Sequence, residues 1–219
     1  MANNIVAFVG VESFDTILYL SRILQRLGRN VLVVDNSETL ALTYSIPQVS
    51  EMNTYTTIIS YRRVDFTNMP VFEELAAKYD DILIDCGLKQ PASSPNLFTK
   101  LIYVTDLFEY NIHRIKQIHD YYTCVNDKEL LIRNSIYTKI SMGEISRLID
   151  QGIPSGKIAL LNRDDVDYES SLNNHINKVF TLTLSRTYRN YLIRQVTSLC
   201  ECFSRREIKE AYTRARNGD

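Results

Sequence analysis

The first 35 residues contain two apolar runs joined by an amphipathic segment. The runs are Ile5 to Val9 and Val31 to Val34, and continuous apolar stretches of this kind are typical of parallel strands buried on both faces. Between them, four apolar residues lie at helical spacing: Ile17, Leu20, Leu24 and Leu27. Gly28 follows directly and supplies a stop for that helix. The pattern predicts a strand, a helix and a second strand.

The same alternation continues along the chain. Further strands are predicted at Thr56 to Tyr61, Ile82 to Gly87, Leu101 to Val104, Leu130 to Ile132 and Ile158 to Leu161. Helices are predicted from Pro70 to about Tyr79, from about Leu107 to Ile118, and around Gly143 to Gln151. Repeated βα units specify an α/β fold with a doubly wound, mainly parallel sheet and helices on both faces.

The last 35 residues have a different pattern. From Ser185 onward apolar residues recur at three- and four-residue steps, which predicts one long C-terminal amphipathic helix. We therefore divide the chain into an α/β domain, residues 1–184, and a helical tail, residues 185–219. The tail holds eight Lys or Arg against four Asp or Glu. Its apolar stripe favours packing on the sheet, with a partner-binding or membrane-surface helix as the alternative.

The overall charge excludes some partners without naming one. The chain carries 25 basic and 26 acidic residues, so no whole-chain field for nucleic acid or membrane exists. No stretch has the length of a membrane span, and the first residues lack the basic region of a signal peptide, so a cytoplasmic protein is expected. The three histidines, His113, His119 and His175, do not have metal-ligand spacing. No catalytic residue and no metal ligand is predicted.

The candidate site lies at the carboxyl ends of the predicted strands. In open α/β sheets ligands bind at these ends, which here present Gly10, Asp35 and Asp85. A phosphate site also needs a glycine-rich loop, a lysine and a hydroxyl group for magnesium. The turn from Gly10 to Thr16 contains one glycine and no lysine. Asp35 and Asp85 suit the two carboxylate roles of a phosphoryl-transfer site, or they cap helices and accept loop amides.

The order of these elements resembles the ParA/MinD family of deviant P-loop ATPases. The resemblance covers residues 4–180 and rests on GRNVLVVD after the first helix, YDDILIDCG in the middle and LIYVTDLFEYNIHRI beyond it. It implies a P-loop after the first strand, an aspartate after the second, and a Walker B aspartate followed by a glycine. Asp35, Asp85 and Gly87 correspond to the last three features.

The turn departs from the family pattern. The P-loop lysine falls on Ser13, its preceding glycine on Glu12 and the magnesium-binding hydroxyl on Phe14. The turn is also about four residues shorter than the family loop, so the signature lysine has no counterpart. Glu12 and Asp15 place negative charge where phosphate would bind. The resemblance therefore predicts a degenerate nucleotide pocket, whose remaining positions are Gly10, Glu12, Ser13, Asp35, Asp85, Gly87 and Lys89.

Our hypothesis is a catalytically degenerate ParA/MinD-like scaffold, localisation or regulatory subunit of a membrane-associated machine. Degenerate P-loops in the family occur among TadZ/CpaE-like proteins, so a pilus, secretion or conjugation apparatus is the concrete expectation. It would need no cofactor. The family also implies a homodimer, and the tail suggests peripheral contact with the inner face of the membrane. Arg205 and Arg206 suit an acidic protein partner better than nucleic acid.

Two alternative functions belong to other classes of protein. An atypical ATPase would bind ATP and Mg²⁺ with Lys89 as a relocated lysine, because that residue follows Asp85 at the same sheet edge. A receiver-like signalling domain would use Glu12 and Asp85, which imitate an acidic pocket only loosely.

Overall fold

The computed structural model describes residues 4–11, 13–47, 58–136, 141–179 and 181–217. Within those ranges it contains eight strands: β1 Asn4–Gly10, β2 Val31–Asp35, β3 Ile59–Tyr61, β4 Val64–Thr67, β5 Asp81–Gly87, β6 Lys100–Thr105, β7 Lys128–Ser135 and β8 Ile158–Asn162. The α-helices in the same ranges are α1 Phe14–Arg26, α2 Ala41–Tyr44, α3 Glu73–Ala76, α4 Glu109–Ile118, α5 Met142–Ile149, α6 Asp165–Asn177, α7 Arg186–Leu199 and α8 Arg205–Arg216.

All eight strands belong to one sheet, in the order β3-β4-β2-β5-β1-β6-β7-β8. Every neighbouring pair is parallel except β3 and β4. The first strand of the chain therefore lies inside the sheet, where Ile5 is opposite Ile82 of β5 and Ala7 is opposite Leu101 of β6. This order confirms the prediction of a mainly parallel α/β sheet and brings the ends of β1, β2, β5, β6 and β7 to one edge.

Helices cover both faces of the sheet. Because successive side chains of a strand point in opposite directions, Val6 and Phe8 join one apolar cluster, while Ala7 and Val9 join another. The first cluster contains the apolar side chains of α1, α7 and α8, and the second those of α3, α4 and α5. The doubly wound arrangement is thus confirmed, and α1 is buried between the sheet and the two C-terminal helices.

The predicted C-terminal amphipathic helix is present, but it is divided into two helices instead of forming one long helix. The chain forms α7 and α8, and both pack against α1. The second helix begins after Ser204. The Ser204 hydroxyl accepts a hydrogen bond from the Glu207 N–H, and the Glu207 carboxylate accepts one from the Ser204 N–H. These two bonds form a capping box, which starts a new helix. Tyr188, Leu192 and Ile208 are buried in the core, so the apolar stripe is covered by α1 rather than presented outward.

Two other segments differ from the sequence prediction. The helix predicted from Pro70 to Tyr79 is reduced to α3, because the Val71 N–H donates to the Ser93 hydroxyl at 2.8 Å and holds the preceding residues extended. Of the strand predicted from Thr56 to Tyr61, the structure shows β3, Ile59–Tyr61, while residues 56 and 57 lie outside the described ranges. Within the described ranges every helix is too short or too polar to span a lipid bilayer.

Candidate functional site

A cavity of about 690 Å³ opens at the carboxyl edge of the sheet. It is lined by residues that follow β1, β2, β5, β6 and β7, and by α6. Of the positions predicted from the sequence, Gly10, Asp85 and Gly87 line it. Ser13 and Asp35 are buried and are not among the lining residues, and Glu12 falls outside the described residues.

The turn between β1 and α1 is held against the neighbouring strand β6. Gly10 has φ +139°, and a Cβ atom there would lie 1.8 Å from the Val104 carbonyl oxygen, so only glycine fits. The Val11 N–H donates to the same oxygen at 2.9 Å. This amide is consequently engaged by the sheet and does not point at a ligand, as the amides of a phosphate loop do.

The N-terminus of α1 carries a carboxylate, Asp15, that is paired with the guanidinium group of Arg133. Arg133, from the end of β7, donates from both terminal nitrogens to the two carboxylate oxygens of Asp15, each at 2.6 Å. Asp15 is 3% exposed and also accepts the Thr16 N–H at 2.7 Å. The N-terminus of a helix favours negative charge through its free N–H groups and its dipole. The Asp15 carboxylate therefore occupies the place where a phosphate would be stabilised.

Electrostatics keeps the Arg133 guanidinium charged. Burial lowers the pKa of the Arg133 guanidinium, but the charge of Asp15 more than offsets it and holds that pKa above its ordinary value. The ring of Tyr188 lies 5.8 Å from the guanidinium carbon, and its hydroxyl is 2.5 Å from the Thr16 hydroxyl. The pair is thus enclosed by α7 as well as by β7 and α1.

Asp35 closes the loop between β2 and α2. One carboxylate oxygen accepts the Ser37 N–H and hydroxyl, and the other accepts the Thr43 N–H and hydroxyl, both at 2.8 Å. Four donors therefore surround this carboxylate, and all four come from its own loop and helix. These contacts are the ones expected if Asp35 caps a helix and accepts hydrogen bonds from loop amides.

Asp85 is a buried carboxyl group beside a second one. It is 4% exposed, accepts the Gly87 N–H at 3.0 Å and the Ser13 hydroxyl, and is the register partner of Asp35 on β2. Burial first, and the charge of Asp35 second, raise the pKa of Asp85 from 3.8 to about 7. Burial and the neighbouring carboxylate therefore favour the protonated form of Asp85.

The other predicted residues lie apart from this centre. Lys89 is exposed and is not among the described residues that line the cavity; its carbonyl accepts the Tyr122 hydroxyl at 3.3 Å. Arg205 and Arg206 lie on α8. Of the histidines, only His175 lines the cavity, and the described residues contain no cluster of three or more acidic, His or Cys side chains suited to a metal ion.

Sequence reasoning missed most of the charged lining. Six carboxylates line the cavity, on Asp15, Glu38, Asp85, Asp106, Asp164 and Asp167, against the guanidinium groups of Arg114 and Arg133. Aromatic walls come from Phe14, Tyr110, Tyr168 and Tyr188. The one available signal was the position of Arg133, a charged residue directly after the apolar run from Leu130 to Ile132 in β7. Taken together, the lining is acidic.

The fold is similar to that of solved ParA/MinD ATPases. The MinD septum site-determining protein of Pyrococcus horikoshii OT3, solved with Mg-ADP, matches with TM-score 0.59 and 16% identity, over 89% of this chain and 96% of that one.

A ParA family ATPase from Chlorobium tepidum TLS matches with TM-score 0.58 and 16% identity over 88% of this chain and 98% of that one. Apo McdA of Cyanothece matches with TM-score 0.59 and 9% identity over 96% and 99%. At these identities the likeness establishes the ParA/MinD-like fold alone. No protein-family model matches the sequence, and no curated protein matches it.

Proposed function

We propose that this protein is a catalytically degenerate ParA/MinD-like subunit, which acts as a scaffold, localisation or regulatory factor through protein partners. The concrete setting we propose is a membrane-associated pilus, secretion or conjugation apparatus, as for TadZ/CpaE-like proteins. One observation carries the proposal: the N-terminus of α1 holds the Asp15 carboxylate, clamped at 2.6 Å by both terminal nitrogens of Arg133.

Mg-ATP does not fit these residues. The chain has no Lys or Arg before Arg22, so the turn after β1 offers no cation to a triphosphate. The nearest cation in the cavity wall, Arg133, is engaged by Asp15. Diverting it to phosphate would leave a buried carboxylate unpaired, which costs about 3–5 kcal/mol and corresponds to roughly 200- to 5000-fold in affinity. The remaining carboxylates of the lining add repulsion.

The competing ATPase hypothesis lacks its lysine. It requires Lys89 to reach the phosphates, but this side chain is exposed and lies outside the described cavity lining. A protein that does not cycle between ATP and ADP states has no nucleotide-driven change of shape, so its regulation would come from the partners it binds.

The rim of the cavity supports a homodimer. Tyr168, Leu172 and Ile176 lie at i, i+4 and i+8 on α6 and are 68%, 44% and 62% exposed, and Tyr110 across the cavity is 60% exposed. Exposed apolar residues that cluster in this way mark protein interfaces. We propose that two copies associate through this face. Among proteins of this fold, MinD of Aquifex aeolicus has been solved as a MinC:MinD complex, at 11% identity and TM-score 0.57.

We place the protein in the cytoplasm, at the inner face of the membrane when its machine is membrane-bound. The apolar stripe of α7 and α8 packs on α1, so this location would depend on a protein partner rather than on an inserted helix.

Isothermal calorimetry with ATP and MgCl₂ tests the proposal. We expect no binding heat up to millimolar ATP. Micromolar binding that is abolished by Asp35→Ala or Asp85→Ala, and retained by Asp120→Ala at an exposed position, would overturn it in favour of the ATPase.

A further inference from the structure

A basic groove of about 1000 Å³ lies between α7 and α8. Its charged lining residues are five cations, Arg186, Arg189, Arg194, Arg205 and Lys209, and no Asp or Glu is among the described residues that line it. Ile193 and Tyr212, both buried, form part of its wall. The groove thus combines a concave shape with charge of one sign.

Four of these cations form no ion pair with a described carboxylate. Among the described residues, no carboxylate lies within 4 Å of Arg186, Arg189, Arg205 or Lys209, whereas Arg206 pairs with Glu210 at 2.8 Å. Arg205 and Lys209 are four residues apart and share a face of α8, where like charges repel. Of the two arginines singled out in the sequence, Arg205 therefore belongs to the groove, and Arg206 is already paired.

The charge of the molecule is divided between two regions. Residues 186–217 carry eight Lys or Arg against three Glu, a net charge of +5, so the rest of the chain sums to −6. A ligand attracted to the groove must therefore be negative where it meets α7 and α8, and short enough to avoid the acidic remainder.

We infer that the α7–α8 groove binds an acidic segment of a protein partner. Packed helices lie about 8–10 Å apart, so the trough between them suits a single peptide chain, while a DNA duplex or a flat membrane would reach only its rims. Arginine forks match carboxylates in a bidentate geometry. The inference depends on the proposed function only for the existence of a partner, and it names the chemistry of that partner.

The groove also sets the length of the segment. From Arg186 to Ser198, α7 advances about 18 Å, at roughly 1.5 Å per residue. An extended peptide covers that length with about five or six residues, at roughly 3.3 Å each. An octaglutamate peptide is thus long enough to span the lining cations.

Fluorescence anisotropy with fluorescein-labelled octaglutamate tests this inference on the full chain. We expect saturable binding that weakens as NaCl rises from 50 to 200 mM. Arg189→Gln, Arg205→Gln and Lys209→Gln combined should weaken binding by about tenfold or more, since each removes one charge pair. The matched control combines Lys78→Gln, Lys116→Gln and Arg163→Gln, which removes the same charge from exposed positions elsewhere and should leave the affinity within about twofold.

Three results would overturn the inference. The first is no binding of octaglutamate by the folded wild type, and the second is an equal loss of octaglutamate affinity in the groove and control variants. The third is groove-dependent binding of a labelled 12-base-pair duplex or of phosphatidylglycerol vesicles that is tighter than octaglutamate binding at the same salt. Circular dichroism melts confirm that each variant is folded. Failure here is separable from failure of the proposed function, because Mg-ATP calorimetry reports on the cavity and not on the groove.

Discussion

Asp85→Asn should stabilise the protein, and more so as the pH rises. The pKa of Asp85 is about 7 in the folded protein, against 3.8 ordinarily, so the folded state holds the proton more tightly than the unfolded state. Stability from this group is fully present below pH 3.8 and is lost as the pH rises through 7. The full loss is about 4 kcal/mol, of which roughly 3 kcal/mol falls between pH 5 and pH 9. Asparagine keeps an oxygen for the Gly87 N–H and an NH₂ group for the Ser13 hydroxyl, without the charge.

The assay is urea unfolding of wild type and Asp85→Asn at pH 5, 7 and 9. The free energy of unfolding of the variant should exceed that of wild type by a margin that widens by about 3 kcal/mol from pH 5 to pH 9, because the variant lacks the carboxyl group that loses its proton over this range. Asp120→Asn, at an exposed position, is the control and should show no such widening. A constant margin, or a variant less stable than wild type at pH 9, would refute the assignment of Asp85 as a buried, unneutralised carboxyl group.

Three further predictions concern the turn, the ion pair and the rim. Gly10→Ala should lower the free energy of unfolding by at least 2 kcal/mol, roughly the cost of severe backbone strain, because its Cβ would meet the Val104 carbonyl oxygen; a loss below 0.5 kcal/mol in urea unfolding would contradict this. Asp15→Asn and Arg133→Gln should each cost about 3–5 kcal/mol, and the double variant clearly less than their sum; additive losses in the double-mutant cycle would argue against a buried ion pair. Leu172→Glu should convert the proposed dimer to a monomer in sedimentation velocity runs, with Leu148→Glu, another exposed leucine, as the control; an unchanged dimer would exclude the α6 face.

The sheet could be predicted from the sequence because its central strands are buried on both faces. The strands β2, β5 and β6 have every residue buried, and each contains a continuous apolar run of three or more residues. The helix α6 was missed because its buried residues are Ser170 and Asn174, which pack through hydrogen bonds rather than through an apolar stripe. The break before α8 did have a signal, the Ser204 to Glu207 capping box.

The candidate site, like the fold, could be predicted from the sequence only in part. Asp35 and Asp85 end apolar runs, so their place at the sheet edge followed from periodicity alone. The partner of Asp15 could not be found in this way, since Arg133 is 118 residues distant and the two meet only because β1 and β7 share an edge of the sheet. Long-range pairs of this kind leave no local pattern.

The most direct test of the central claim is a crystal structure grown in millimolar Mg-ATP. Both terminal nitrogens of Arg133 should remain on the Asp15 carboxylate, and no triphosphate density should lie beside Ser13. Triphosphate density at the N-terminus of α1, with Arg133 turned from Asp15 to the phosphates, would contradict it.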